Sequence, residues 1–97
     1  MFLLVLKPRA IIMQKEAYDW YESQKVGLGE LFLIELEEKY NKITTTPFVY
    51  GKRQQDYRHV ALKKFPYVIV FRIVENVVVV YAVFHSSRDP KHKINKK

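Results

Sequence analysis

The sequence predicts an α+β fold in which a helical hairpin packs on a mainly antiparallel sheet, in the element order β-α-α-β-β-β. Two observations support this prediction: two amphipathic helical patterns follow one another early in the chain, and two strand-like segments follow one another late. Residues 67–74 and 77–84 are rich in β-branched and aromatic side chains, and only two residues separate them. That spacing is typical of a tight β-hairpin.

The front half of the chain predicts one strand followed by two helices. The apolar opening MFLLVL is stopped by Lys7 and Pro8 well before the length of a signal peptide or a membrane span, so we expect a short strand. Pro8 suits the first turn of a helix, and apolar side chains then recur at three- and four-residue steps to residue 24. Gly27 is placed to end this helix in a left-handed conformation, and a second apolar stripe predicts a helix from residue 30 to about residue 44.

The back half predicts a polar loop and three strands. Consecutive threonines and Pro47 end the second helix, and residues 48–55 are expected to form a polar loop around Gly51. Residues 57–62 are predicted as a short strand and residues 63–66 as a turn, after which the hairpin completes the sheet. We expect a single domain over residues 1–97, in which residues 86–97 are a basic C-terminal tail.

Alternation along the hairpin predicts which side chains face the helices. If Val74 pairs with Val77, the core face holds Tyr67, Ile69, Phe71, Ile73, Val78, Val80, Ala82 and Phe84. The opposite, half-exposed face then holds Val68, Val70, Arg72, Val79, Tyr81, Val83 and, at its rim, His85. We expect Arg58 and Arg72 together on the exposed sheet face, where planar guanidinium donors suit carboxylates or phosphates; simple solvation of both is the alternative.

The positive charge of the chain is concentrated in its second half. The net charge is +7; the first 48 residues contain six Lys or Arg and seven Asp or Glu, whereas the remaining 49 contain eleven and three. Such a field attracts nucleic acid or an acidic protein surface, although a basic face that only maintains solubility is the alternative. The chain has no cysteine, and its three histidines lack metal-ligand spacing. We therefore expect a cytoplasmic protein without a metal or cofactor.

Three local signatures identify a family when they are taken together. They are PRA at residues 8–10 followed by EAYDWYESQKVGLGELFLIEL from Glu16, DYRHVALKKFPYVIVFRI from Asp56, and VFHSSRDP from Val83. In this order and at these distances they resemble the RelE/ParE superfamily of toxins from bacterial type II toxin–antitoxin modules. Within it they are most similar to the ParE, or plasmid-stabilisation, branch, and the likeness covers nearly the whole chain.

The resemblance implies a protein that binds DNA gyrase, blocks it without a catalytic site of its own, and is neutralised by a ParD-like antitoxin in an oligomeric complex. The candidates that it suggests for target binding are Arg58, Arg72, Tyr81, His85, Ser87, Arg88 and Asp89. The candidates for antitoxin binding are Leu33, Ile34, Arg58 and Arg72. Leu33 and Ile34 widen the apolar arc of the second helix, which indicates either further contact with the sheet or a docking surface. A local ion pair between Arg88 and Asp89 is the alternative explanation of those two charges.

The alternative within the same superfamily is a RelE-like, ribosome-dependent endoribonuclease that cleaves messenger RNA. Where that branch has lysines, this chain has His59 and Ala61, and where it has an arginine after the strand-opening tyrosine, this chain has Val68. Ile94 falls near the place of its catalytic tyrosine, and only Arg88 matches a nuclease arginine. A nuclease would therefore need a rearranged site built from His85, Arg88 and Arg72. A decayed toxin that only binds its antitoxin is a third alternative.

Overall fold

Two helices pack on one face of a five-stranded sheet in the computed structural model, which describes residues 1–87. The elements are β1 (Leu3–Leu6), α1 (Pro8–Gln24), α2 (Leu28–Thr45), a 3-10 turn (Pro47–Val49), β2 (Lys52–Gln54), β3 (Tyr57–Ala61), β4 (Tyr67–Val74) and β5 (Val77–His85). The strand order is β1-β5-β4-β3-β2, with β1 parallel to β5 and the other neighbours antiparallel. The predicted fold class is confirmed. The segment predicted as a polar loop, residues 48–55, also contains the short edge strand β2.

The turn between the helices depends on Gly27 and on one carboxylate. Gly27 has a φ of +93°, a left-handed conformation that glycine adopts without strain, and it directly precedes α2. The Glu22 carboxylate accepts hydrogen bonds from the backbone N–H groups of Gly27 and Gly29, each at 2.9 Å. These bonds satisfy donors at the start of α2 that have no partner within the helix. As a result, α2 begins two residues earlier than the apolar stripe predicts.

Four aromatic rings hold the helices against the sheet. Tyr21 of α1 and Phe32 of α2 contact Phe65, in the turn between β3 and β4, with ring centroids 4.8 and 5.4 Å away. Phe32 also packs edge-on against Tyr67 of β4 at 5.1 Å. All four rings are buried, and each such pair contributes about 0.5–1.5 kcal/mol beyond the area that it buries. The cluster therefore fixes the turn and the start of β4 relative to both helices.

A β-bulge in β5 changes which side chains face the helices. Val70 pairs with Ala82 but Phe71 pairs with Val80, so Tyr81 is an extra residue on β5. Beyond this point the alternation is reversed: Val83 joins the core with Ile69. Ala82 and Phe84 join Val70 in a second buried cluster on the other face, which we call the outer cluster. The prediction that Ala82 and Phe84 face the core, and Val83 the opposite side, is therefore wrong.

A buried carboxylate ties α2 to the turn between β3 and β4. Glu35 is only 5% exposed, and its two carboxylate oxygens accept hydrogen bonds from the backbone N–H groups of Lys63 and Lys64. A buried charge is tolerated when hydrogen bonds replace its water, and these two donors belong to a turn that has few other backbone partners. Glu35 therefore determines where the turn, and Phe65 within it, lies against α2.

We expect Glu35→Ala to lower the free energy of unfolding by about 2–3 kcal/mol, because two backbone donors lose a charged acceptor in a site that excludes water. Chemical denaturation measures this change. Glu37→Ala is the matched control, since Glu37 is an exposed glutamate on the same helix and its loss should change the stability by about 0.5 kcal/mol or less. Equal destabilisation by both substitutions would show that the Glu35 hydrogen bonds do not stabilise the turn.

Candidate functional site

The core lies between the two helices and one face of the sheet, and we call the opposite face the open face; Met13 of α1 packs against the outer cluster on it. In-register pairing places Val5, Val79 and Arg72 in one row across β1, β5 and β4 on this face. Exposed apolar side chains border the row: Val5 is 47% exposed, Leu3 61% and Val74 41%. Arg72 is thus a cation in the middle of an apolar surface.

Two tyrosines flank the Arg72 guanidinium. Its central carbon lies 5.7 Å from the ring centroid of Tyr57 and 6.0 Å from that of Tyr81, and the two rings contact each other edge-on at 5.3 Å. The Lys7 ammonium lies 5.5 Å from the Tyr81 ring. Attraction between a cation and a ring face favours both arrangements. The bulge makes them available, because Tyr81 is the extra residue on β5 and contacts the side chains of the open face.

Arg72 has a hydrogen-bond donor that the fold does not use. Its Nε is buried without a hydrogen-bond partner. Within residues 1–87, the two ion pairs join Lys15 to Asp19 and Lys52 to Asp56, so neither neutralises Arg72. A buried donor of this kind is uncommon, and strain, an ordered water or a ligand can account for it.

His59 is the second polar group on the open face with an unused nitrogen. Its Nε2 is buried without a partner, and its ring lies edge-on to Phe84 of the outer cluster, 6.4 Å between centroids. Burial, with a smaller contribution from the Arg53 charge, holds the pKa of His59 below its ordinary value. The ring is therefore neutral near pH 7 and does not add a second cation beside Arg72.

His85 lies on the other face of the sheet. It pairs with Tyr67, whose ring is 5.3 Å away, and its Nδ1 accepts a hydrogen bond from the Ser87 backbone N–H at 3.2 Å. Arg72 is five positions along β4 from Tyr67, which is about 17 Å along a strand. The expectation that His85 and Arg72 share a face is wrong, because the bulge reverses the alternation between them.

Arg58 also faces the helix side. It pairs with Phe71, its Nη1 donates a hydrogen bond to the Tyr50 carbonyl at 2.6 Å, and its guanidinium lies 5.3 Å from the Phe48 ring. The expectation that Arg58 and Arg72 lie together on the exposed face is therefore wrong, since their pairing partners, Phe71 and Val79, belong to opposite faces.

Of the other residues predicted to bind the target, some lie within the described part of the chain and some lie outside it. Tyr81 contacts Arg72, and Ser87 is exposed at the end of the described residues. Arg88 and Asp89, with most of the predicted tail, lie outside them. Among residues 1–87, no group of His, Asp or Glu side chains is arranged to hold a metal ion. Over that same part of the chain, neither helix combines the length and the apolar character that crossing a membrane requires.

A second candidate surface is a cavity of about 290 Å³ beside α2, which we call the α2 pocket. It is lined by Leu28, Leu31, Ile34, Glu35, Glu38, Lys64 and Phe65. Leu31 and Ile34 are about half exposed, at 54% and 51%, so they present apolar surface at the pocket. Leu33, the other predicted docking residue on this helix, is half-buried and packs against the core instead.

The structure adds residues to both surfaces that sequence reasoning missed. The pairing of β3 and β1 with the hairpin brings Tyr57 beside Arg72 and Lys7 beside Tyr81. The hydrogen bonds of Glu35 hold the turn from which Lys64 and Phe65 reach the α2 pocket. The aromatic character of Tyr57 at the start of a predicted strand was the available signal for the first site. The wide apolar arc of the second helix indicated Ile34 at the second site, but no local pattern indicated Lys64 and Phe65 there.

Comparisons with known proteins agree with this fold. The chain matches the family described as the ParE toxin of type II toxin–antitoxin systems, parDE, over residues 4–90. A chain from the chromosomal ParDE toxin–antitoxin system of P. aeruginosa superposes with a TM-score of 0.72 at 16% identity, covering 88% of this chain and 96% of that one. No curated protein sequence gives a significant match.

Solved structures of the related RelE toxin are also similar. A chain of the intact E. coli RelBE toxin–antitoxin complex has a TM-score of 0.69 at 19% identity, covering 91% of this chain and 100% of that one. The isolated E. coli RelE toxin has a TM-score of 0.69 at 18% identity, covering 95% and 92% respectively. At these identities the structural likeness shows the fold, whereas the family match spans nearly the whole chain. The chain therefore belongs to the ParE toxin family of type II toxin–antitoxin systems.

Proposed function

We propose that this toxin acts in the cytoplasm by binding DNA gyrase and blocking it, as part of a plasmid-stabilisation module. The observation that supports binding over chemistry is the separation of Arg72 from His85 on opposite faces of the sheet. Phosphodiester cleavage requires cations and an acid or base around a single phosphate, and these two described candidates do not converge. The open face instead offers a largely apolar surface with the Arg72 guanidinium in it and the Lys7 ammonium beside Tyr81, which suits a protein partner.

We further propose that a ParD-like antitoxin neutralises the toxin and that an apolar side chain of the antitoxin inserts into the α2 pocket. The pocket combines exposed Leu31 and Ile34 with charged side chains of both signs, Glu38 and Lys64. An apolar centre with a polar rim is the usual anatomy of a protein interface. The excess of positive charge on the second half of the chain suits an acidic antitoxin, because complementary fields speed association.

The proposed target is tested by supercoiling of relaxed plasmid DNA with purified gyrase and ATP. We expect supercoiling to fall as the protein is added and to recover when the protein is heat-denatured first. A translation extract provides the test of the alternative function, a RelE-like endoribonuclease. Ribosome-dependent cleavage of messenger RNA, with supercoiling unchanged, would contradict the proposal and support that alternative. No effect in either assay and no growth arrest on expression would indicate a decayed toxin.

The proposed antitoxin pocket is tested with Ile34→Ser. Truncating this half-exposed side chain removes apolar surface that the antitoxin would bury, so we expect about tenfold weaker binding by calorimetry with the antitoxin encoded beside the toxin gene. Ile11→Ser is the matched control, because Ile11 is 52% exposed on α1, outside the pocket. Thermal unfolding confirms that both variants fold. Equal weakening by the two substitutions would place the antitoxin elsewhere.

A further inference from the structure

The open face contains two buried polar atoms without partners, the Arg72 Nε and the His59 Nε2. Neither is used by the fold, and within residues 1–87 no carboxylate pairs with Arg72. Because His59 is neutral near pH 7, Arg72 is the fixed charge at this position. An unpaired guanidinium donor is satisfied best by an oxyanion, since charge-assisted hydrogen bonds are the strongest that it can form.

The surroundings of Arg72 select the kind of oxyanion. A nucleic-acid backbone is bound by several cations that follow successive phosphates. The row containing Arg72 instead continues through Val79 and Val5, and exposed Leu3 and Val74 lie beside it. A guanidinium in an apolar row, with the Lys7 ammonium 5.5 Å from the neighbouring Tyr81 ring, matches a carboxylate that is flanked by apolar side chains better than a run of phosphates.

The tyrosines explain how Arg72 is presented. Tyr57 and Tyr81 lie 5.7 and 6.0 Å from the guanidinium carbon, so they limit its rotamers and exclude water from one side. A side chain held in this way loses less conformational entropy when it binds than a free one does. The Lys7 ammonium beside Tyr81 adds positive potential without forming an ion pair of its own in the described part of the chain.

We propose that Arg72, between Tyr57 and Tyr81, is a subsite for an acidic side chain on an apolar segment of the target protein. Only the identity of that target rests on the proposed function. The carboxylate accepts hydrogen bonds from the accessible edge of the guanidinium, while the flanking apolar side chains cover Val5, Val79 and their neighbours.

The test uses two blocked peptides, acetyl-Leu-Glu-Leu-amide and its Gln analogue, titrated into the ¹⁵N-labelled protein while the Arg72 Nε–H signal is followed by NMR. We expect the Glu peptide to shift this signal and to bind about tenfold more tightly than the Gln peptide, the difference that one charge-assisted hydrogen bond provides. Arg72→Lys keeps the charge but loses the planar fork, so it should reduce the preference. Arg58→Lys, the matched change on the opposite face, should retain it.

Two outcomes of the titration would overturn the inference. One is equal binding of the two peptides. The other is a single-stranded oligonucleotide that shifts the Arg72 Nε–H signal at lower concentration than the Glu peptide does, which would assign the surface to nucleic acid.

The supercoiling assay separates the subsite from the proposed target. If the wild-type protein inhibits gyrase, Arg72→Lys should weaken inhibition and Arg58→Lys should not. Equal inhibition by wild type and Arg72→Lys overturns the subsite and leaves the proposed function standing. A wild-type protein that binds the Glu peptide at Arg72 without inhibiting gyrase supports the subsite and refutes the target.

Discussion

The extra residue in β5 is the constraint on which the arrangement of the functional surfaces depends. Before the bulge, Val78 and Val80 face the helices; after it, Val83 does, and Phe84 turns to the outer cluster. The same half-turn moves His85 away from the face that holds Arg72. A strand without the bulge would have put the histidine and the arginine on one surface. Bulges often re-aim side chains in this way, and here the result separates two groups that catalysis would need together.

The bulge is tolerated because the rest of the sheet is held firmly. The aromatic cluster and the Glu35 carboxylate fix the turn before β4. The strand β4 is therefore held in place between β3 and β5. On the open face, the unused Arg72 donor opposes stability by about 1–3 kcal/mol. The contacts of the guanidinium with two rings offset part of this, at about 0.5–1 kcal/mol each for partly exposed pairs.

Most elements of the fold could be predicted from the sequence, but which side chains of the strands face the helices could not. Helical periodicity, Pro8 and the two-residue hairpin spacing are local signals, and each predicted its element correctly. Residues 77–84 are apolar or aromatic at every position, so a bulge leaves no trace in their pattern and the two possible registers look alike. The sheet face on which Arg58 lies could not be predicted for a related reason, because the pairing of β3 with β4 depends on how the turn at 63–66 is held. The strand β2 is short and polar, and only its pairing with β3 reveals it.

The charges of the chain act at two ranges, and both suit a protein that works by binding a partner. Exposed Lys52, Lys63 and Lys64 belong to the half of the chain that has the excess positive charge, so they attract an acidic partner over distances that salt screens. Arg72 acts only on contact, where its apolar surroundings exclude water and strengthen a hydrogen bond to a carboxylate. Long-range attraction is common to many basic proteins and gives little specificity for one partner. The short-range group, fixed by two tyrosines that the bulge and the β3 pairing bring together, is the part of the proposed subsite that would discriminate between partners.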